Sequence, residues 1–286
     1  MPELPEVEVT RLGLLSYLPG RKITALFCSG KRLRLSLPFE LLDKYICGSA
    51  ISALDRRAKY LLIRMDNGSV LVIHLGMTGK LGLFAKTTTR AAHDHLCLTL
   101  DSGLELRFND ARRFGSVIVW PSEEAARLEE EFNNSQGLEP FSPDFTAANL
   151  AELAQGRRQP IKTFLMDGRQ ISGIGNIYAN ETLFAAKIHP QTPAGCLNLA
   201  EWQRIADCAV AILKRAIAAG GSTVSDFLGS SGEPGHFQLQ LTVYGRQDQP
   251  CPVCGEKISR EQLGGRATFF CSSCQPLSLG LRSGAF

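Results

Sequence analysis

The sequence predicts a multidomain α+β protein: a β-rich N-terminal block, a helical middle block and a small cysteine-bearing module near the end. Three observations carry that expectation. Short β-rich runs joined by Gly-containing turns dominate residues 1–120, apolar spacing turns helical from residue 121, and CPVC and CSSC stand close to the C-terminus. With 286 residues, the chain suits about two domains of ordinary size and can bury a sizeable core.

Apolar residues at Val7, Leu12, Leu14, Leu15 and Leu18 predict one N-terminal helix, ended by Pro19-Gly20. YLLIRM (60–65) and SVLVIHL (69–75) flank Asp66-Asn67-Gly68, and HLCLTL (95–100) and LELRFND (104–110) flank Asp101-Ser102-Gly103. Repeated hairpins of this kind predict a sandwich or a barrel. SEEAARLEEEF is helix-like and acidic, and the breaker-rich NNSQGLEPFSPDF after it reads as a linker. Thr146 is placed to cap a helix reaching 155, Pro160 to open one reaching 166, and a third candidate covers 176–187. The clearest helix is 199–219. Asn198 and Glu201 suit a capping box, Leu199, Trp202, Ile205, Ala209, Leu213 and Ile217 keep helical spacing, and Gly220-Gly221 ends it. Residues 222–250, rich in Gly and Ser, read as a loop.

The small net charge of +3 conceals a division. Residues 1–120 carry 17 basic against 11 acidic side chains, residues 121–155 carry 1 against 8, and residues 156–286 carry 13 against 9. Two basic blocks about an acidic stretch suit a polyanion such as nucleic acid, and equally an ordinary solvated surface. No apolar run approaches the ~20 residues of a membrane helix. MPELPEVEVT has neither the basic flank nor the apolar core of a leader, so the expectation is a soluble cytoplasmic protein without membrane partners.

Of nine cysteines, Cys251, Cys254, Cys271 and Cys274 form two CxxC pairs separated by 16 residues, while Cys28, Cys47, Cys97, Cys196 and Cys208 read as small buried residues. Two CxxC pairs complete a tetrahedral thiolate shell for one Zn²⁺, with no position left for water, so such a metal is structural. A rubredoxin-like iron or a disulfide pair is the alternative reading. Arg260 and Arg266 fall between the pairs, on an expected hairpin that presents guanidinium groups to phosphates.

Removal of Met1 would expose Pro2 as a secondary amine. Because an α-amino group titrates at about 7.7–8.0, far below lysine, a useful fraction of it is a neutral nucleophile near neutral pH. Attack on an aldehyde-like carbon gives an iminium, and Glu3 and Glu6 put carboxylates beside it for acid–base work. An inert terminus fits the same letters. Gly173-Ile174-Gly175-Asn176 opens a helix and suits an anion at its N-terminus. Asn109-Asp110-Ala111-Arg112-Arg113-Phe114-Gly115 follows a strand. It reads either as a loop that pushes Arg and Phe into a duplex or as a strand-end salt bridge with a core Phe. His74 and Met77, and His93 and His95, share that ambiguity and are spaced too loosely for a second metal site.

Taken together, MPELPEVE, RRAKYLL (56–62), HLGMTGKL (74–81), NDARRFG (109–115), GIGNIYANE (173–181), GHFQLQLTVYGR (235–246) and CPVC…GGRATFFC..C resemble bacterial formamidopyrimidine-DNA glycosylase over almost the full length. The resemblance implies an N-terminal catalytic β-sandwich (1–132), a helix–two-turn–helix DNA-binding domain (133–234) and a C-terminal zinc finger (235–286), with DNA in a basic cleft. It implies a monomer acting on double-stranded DNA that carries oxidised purines, chiefly 8-oxoguanine opposite cytosine and formamidopyrimidines, or abasic sites. Pro2 is then the nucleophile at C1′ and Glu3 the acid that assists base loss. Lys59 is the proton donor for β-elimination and Arg266 for δ-elimination. Asn176 and Arg266 form a phosphate clamp, and His74, His93, Arg157 and Lys162 are further DNA contacts. Met77, Arg112 and Phe114 fill the gap left by the flipped base. His236 stands where relatives commonly carry Tyr, in a loop (222–238) that resembles one closing over the extruded base. The sister group resembling endonuclease VIII, which acts on oxidised pyrimidines, is the nearest rival. A zinc protein that only binds damaged DNA is a more distant one.

Overall fold

The structure, a computed structural model, describes residues 2–220 and 241–277. The chain forms two compact units that divide between Ser135 and Gln136 and again between Arg215 and Ala216.

In the first unit, helix α1 (Leu4–Leu14) begins at a capping box of Glu3 and Glu6, in which the Glu6 carboxylate accepts from the Glu3 N–H at 2.8 Å. Pro5 sits in the first turn, where a missing N–H costs nothing. The helix starts earlier and stops sooner than the apolar spacing predicts: Leu12 is 44% exposed and Leu18 is buried from the turn that follows. The capping bond also engages Glu6, so of the two acids expected beside Pro2 the Glu6 carboxylate has a structural task.

Eight strands follow: β1 (Ile23–Cys28), β2 (Ile51–Arg57), β3 (Tyr60–Met65), β4 (Val70–His74), β5 (Lys80–Ala85), β6 (Asp94–Leu100), β7 (Leu104–Asn109) and β8 (Ser116–Trp120). A short helix α2 (Phe39–Leu41) running into a π-turn (Leu42–Ile46) interrupts them. They pair antiparallel into two four-stranded sheets, ordered β1-β6-β7-β5 and β2-β3-β4-β8. The two predicted hairpins are β3–β4 and β6–β7, one in each sheet. The architecture is a sandwich, not a barrel. Leu61, Ile63, Leu71 and Ile73 from one sheet meet Leu81, Leu96, Leu98, Leu106 and Phe108 from the other, with Val7 and Leu14 of α1 in the same core.

The outer faces explain why these strands read as nearly unbroken apolar runs. Leu62, Val70, Val72 and Trp120 point away from the core and lie under α3 (Ala125–Ser135) through Ala125, Leu128 and Phe132. On the other sheet the outer face is a buried ionic network. Arg107, 2% exposed, donates to Glu105 at 3.0 Å and to the Thr89 carbonyl at 3.1 Å, and Arg90 reaches Glu105 at 2.8 Å.

The second unit holds α4 (Ala147–Ala154), α5 (Ile161–Leu165), α6 (Asn176–Ala186), α7 (Leu199–Ala218) up to Arg215, and a hairpin of β9 (Ser259–Leu263) and β10 (Arg266–Phe270). Thr146 Oγ1 accepts from the Asn149 N–H to cap α4. Asn198 and Glu201 cap α7 reciprocally, both bonds at 2.9 Å. Phe164 meets Trp202 edge-on at 5.6 Å in a core shared with Tyr178, Leu183 and Ile205.

Two sequence expectations need correction. The expected linker begins too early, because α3 continues through Asn133, Asn134 and Ser135, anchored by Phe132 in the outer core. Beyond it Gly137 and Leu138 bond to Gly168 and Gln170 within the second unit, so the segment is docked. Of the five scattered cysteines only Cys97 is buried; Cys28, Cys47, Cys196 and Cys208 are half-buried. The loop expected at 222–250 lies outside the described residues up to 240, and from 241 to 250 the chain turns without regular structure. His236 lies outside them too.

Candidate functional site

In the first unit, the start of α1 and the β2–β3 turn each present an expected residue. Pro2 is half-buried, and Glu3, the N-cap of α1, is 1% exposed. Lys59 sits in the two-residue turn between β2 and β3, reached through Ala58 at φ +56. Arg56 donates to the Ala58 carbonyl at 3.0 Å and to Glu8 of α1 at 2.9 Å, so one guanidinium ties the helix that starts at Pro2 to the turn that carries Lys59.

Lys59 and His74 are brought together across the β3–β4 pairing. Burial, then the charges of Lys59 and Arg34, push the His74 pKa down from 6.5 to about 4, and the ring is neutral at pH 7. Its Nδ1 accepts from the Gly76 N–H at 3.1 Å, which puts the proton on Nε2. His74 is therefore a neutral, oriented donor, suited to an anion already surrounded by cations.

Met77 lies in the β4–β5 connection and Arg112 and Phe114 in the β7–β8 connection. Phe114 is 45% exposed and the Arg112 guanidinium lies 4.7 Å from its ring centroid. The reading of Phe114 as a core residue is thereby excluded. His93, exposed just before β6, has its ring 6.4 Å from that of buried His95.

In the second unit, Asn176 and the neighbourhood of Arg266 come together. Asn176 opens α6, is 8% exposed, and donates through Nδ2 to the Ala267 carbonyl at 3.0 Å, next to Arg266 at the exposed start of β10. Its Oδ1 is buried without a hydrogen-bond partner, an unusual cost to carry in a folded chain. Lys162, expected as a DNA contact, is fully buried instead. Its ammonium donates to the Ala267 carbonyl at 2.9 Å and to Thr268 Oγ1 at 2.7 Å, because the β9–β10 hairpin packs over α5 and closes it from solvent. It holds the strand that carries Arg266. Arg157 stands apart, exposed beyond α4, with Nε on the Leu153 carbonyl at 2.8 Å.

The four expected metal ligands converge. The sulfurs of Cys251, Cys254, Cys271 and Cys274 all lie within 4.8 Å of one another, with Cys251–Cys274 at 3.9 Å and Cys254–Cys271 at 3.5 Å. A tetrahedron of ~2.3 Å Zn–S bonds has edges of about 3.8 Å, so this donor set fits Zn²⁺.

Residues 1–117 match the formamidopyrimidine-DNA glycosylase N-terminal domain, residues 136–228 the formamidopyrimidine-DNA glycosylase H2TH domain, and residues 248–277 the zinc finger found in FPG and IleRS. The formamidopyrimidine-DNA glycosylase of Geotalea uraniireducens (strain Rf4) is 49% identical over 275 residues, 96% of this chain and 100% of the relative. The chain belongs to the formamidopyrimidine-DNA glycosylase family. It is a DNA glycosylase with the β-sandwich, helix–two-turn–helix and four-cysteine zinc-finger parts of that fold. Among solved structures, Lactococcus lactis Fpg in complex with N7-benzyl-Fapy-dG DNA matches with a TM-score of 0.86 at 33% identity, over 96% of this chain and 100% of that one. MutM in complex with DNA containing carbocyclic 8-oxo-G matches at 0.85 and 33%, with the same coverage.

Several residues that no sequence motif singles out shape these two regions. Glu181, in the quoted GIGNIYANE, accepts from the backbone N–H groups of Thr242, Val243 and Tyr244 at 2.8–2.9 Å and fixes the approach to the zinc finger. Asn180 takes the Phe269 N–H at 2.8 Å. Both lie on a face of α6 that is buried although polar, a pattern that apolar periodicity cannot reveal. Arg34 adds a cation near His74 from a segment without a motif.

Proposed function

We propose that this glycosylase removes oxidised purines, 8-oxoguanine and formamidopyrimidines, from double-stranded DNA and then cleaves the strand at the resulting abasic site. The observation that carries the reading is the pairing at the head of α1: a half-buried Pro2 beside a buried, helix-capping Glu3. Once Met1 is removed, the Pro2 nitrogen attacks C1′, the glycosidic bond breaks with its electron pair leaving on the base, and an iminium joins protein to sugar. Glu3 supplies the proton that assists base loss and sugar-ring opening. Lys59 serves the β-elimination and Arg266 the δ-elimination, leaving a one-nucleotide gap with phosphate ends.

The target base lies inside the stack, and flipping it out costs on the order of a few kcal/mol. Met77, Arg112 and Phe114 fill the space it leaves, Arg112 facing the orphaned cytosine and Phe114 buckling the stack. His74, His93, Arg157, Asn176 and Arg266 contact the DNA, and Lys162 acts through the β10 backbone. One structural Zn²⁺ on the four cysteines holds the hairpin, and no step passes through it. The chain works as a monomer, cytoplasmic and nucleoid-associated while acting, with the division 1–132, 133–234 and 235–286. The purine-lesion ligands of the similar structures support this substrate class.

Release from duplexes carrying 8-oxoguanine opposite cytosine is to be compared with release from thymine-glycol duplexes. Faster release of 8-oxoguanine, with phosphate at both ends of the gap, is the expected result. Preference for thymine glycol would move the chain to the endonuclease VIII-like reading.

A further inference from the structure

The residues proposed to enter the duplex come from separate connections, and the structure joins those connections at one buried carboxylate. Asp110, 0% exposed, directly follows β7. Its Oδ1 accepts from the Thr78 hydroxyl at 2.5 Å and its Oδ2 from the Gly115 N–H at 2.8 Å. Its own N–H donates to the His93 carbonyl at 3.0 Å, and its carbonyl accepts from His95 Nε2 at 3.0 Å. Thr78, the neighbour of Met77, accepts in turn from the Arg112 N–H at 3.1 Å. Asp110 thus touches the β4–β5 connection, the β7–β8 connection and the segment leading into β6.

The backbones themselves are in contact. A side chain at Gly76, whose φ is +66, would put its Cβ 2.4 Å from the Phe114 carbonyl carbon and the Gly115 nitrogen. One at Gly115 would meet the Phe108 ring at 2.6 Å and the His74 carbonyl at 2.8 Å. Between them Arg113 takes φ +57, a left-handed conformation that a non-glycine residue holds only where its surroundings impose it. Its N–H bonds back to the Asp110 carbonyl at 3.3 Å.

We propose that Asp110 and Thr78 are positioning residues that lock Met77, Arg112 and Phe114 into one pre-formed wedge before DNA arrives. The inference rests on the proposed role of that trio. Chain order fixed in advance is entropy not lost on binding, so the wedge enters the stack without first having to assemble. The carboxylate serves both connections with acceptors only. An amide of the same shape keeps its oxygen for the Gly115 N–H but meets Thr78 only by donating to Oγ1, which leaves the hydroxyl proton without the carboxylate.

The test compares Thr78→Val, Thr78→Ser and Asp110→Asn with the parent in three single-turnover readouts. These are 8-oxoguanine excision opposite cytosine, the fluorescence rise of a 2-aminopurine placed beside the lesion, and strand cleavage of an abasic-site duplex, which has no damaged base to extrude. Thr78→Val should slow excision and the fluorescence rise together by about ten- to a hundredfold, leave abasic cleavage within about threefold, and be rescued by Thr78→Ser. Asp110→Asn, whose amide can still accept from Gly115 and donate to Thr78, should show the same split with a smaller loss than Thr78→Val. Excision and fluorescence unchanged in Thr78→Val overturn the clamp alone, as does an equal loss on both substrates, which marks a general folding role. A parent that releases no 8-oxoguanine overturns the substrate reading and the clamp with it.

Discussion

At neutral pH the His74 imidazole carries no charge, and the reason is local: burial beside Lys59 and Arg34 holds its pKa at about 4, and the Gly76 N–H fixes its tautomer. A histidine in the unfolded chain titrates near 6.5, so between about pH 4 and 6.5 the unfolded state binds more protons and stability falls as pH falls. The whole window is worth on the order of 3 kcal/mol. Urea unfolding at pH 4.5 and 7.5 should show a smaller pH difference for His74→Gln than for the parent; equal differences would contradict the buried, neutral ring. Arg266 and Lys162 supply a second contrast. Arg266→Ala should cut the slope of log K against log salt by about 0.9, as loss of one phosphate contact does, whereas Lys162→Met should weaken binding with the slope unchanged. A reduced slope for Lys162→Met would mean that its ammonium reaches phosphate despite its burial. The four-cysteine cluster was legible in the sequence because it depends on residue type and short spacing, whereas the roles proposed for Pro2 and Glu3 came only with the family resemblance. The burial of Lys162 was not legible, because it is decided by the β10 hairpin, about a hundred residues along the chain, and the exposure of Phe114 was one of two open readings of its loop.

Among the elements, β3, β4, β6 and β7 were legible to within a residue or two because Gly-containing turns punctuate them. β1, β5 and β8 were not, since they pair with strands distant in sequence, as Ile23 does with Leu100, and β2 was not, because its turn into β3, Ala58-Lys59, holds no glycine. Caps located the helices well at Thr146 and Asn198, and less well at α1, where the capping box precedes the apolar pattern by several residues. The β9–β10 hairpin is too small to bury a core of its own. It leans on Phe184, Val243 and Ile258 and on the four-thiolate cluster. A zinc ion bound by these cysteines would supply much of its folding free energy. Cys254→Ser should abolish zinc in the purified protein, expose the 241–277 segment to protease and lower DNA affinity; a metal-free variant with full affinity and protease resistance would contradict this.

For the molecule as a whole, the charge division along the chain was visible at once, while its meaning was not. A basic block of residues 1–120 is compatible with any polyanion, and the family membership is what makes DNA the partner. The terminal amine of Pro2 is the proposed nucleophile, and borohydride trapping with an 8-oxoguanine duplex puts that role to the test. Reduction converts the iminium to a stable amine, and mass analysis of the cross-linked peptide locates the bond. An adduct on the N-terminal peptide at Pro2, with Met1 absent, is the predicted result. No adduct, from protein that has lost Met1 and still binds the duplex tightly, would contradict the account and leave a protein that only recognises damage.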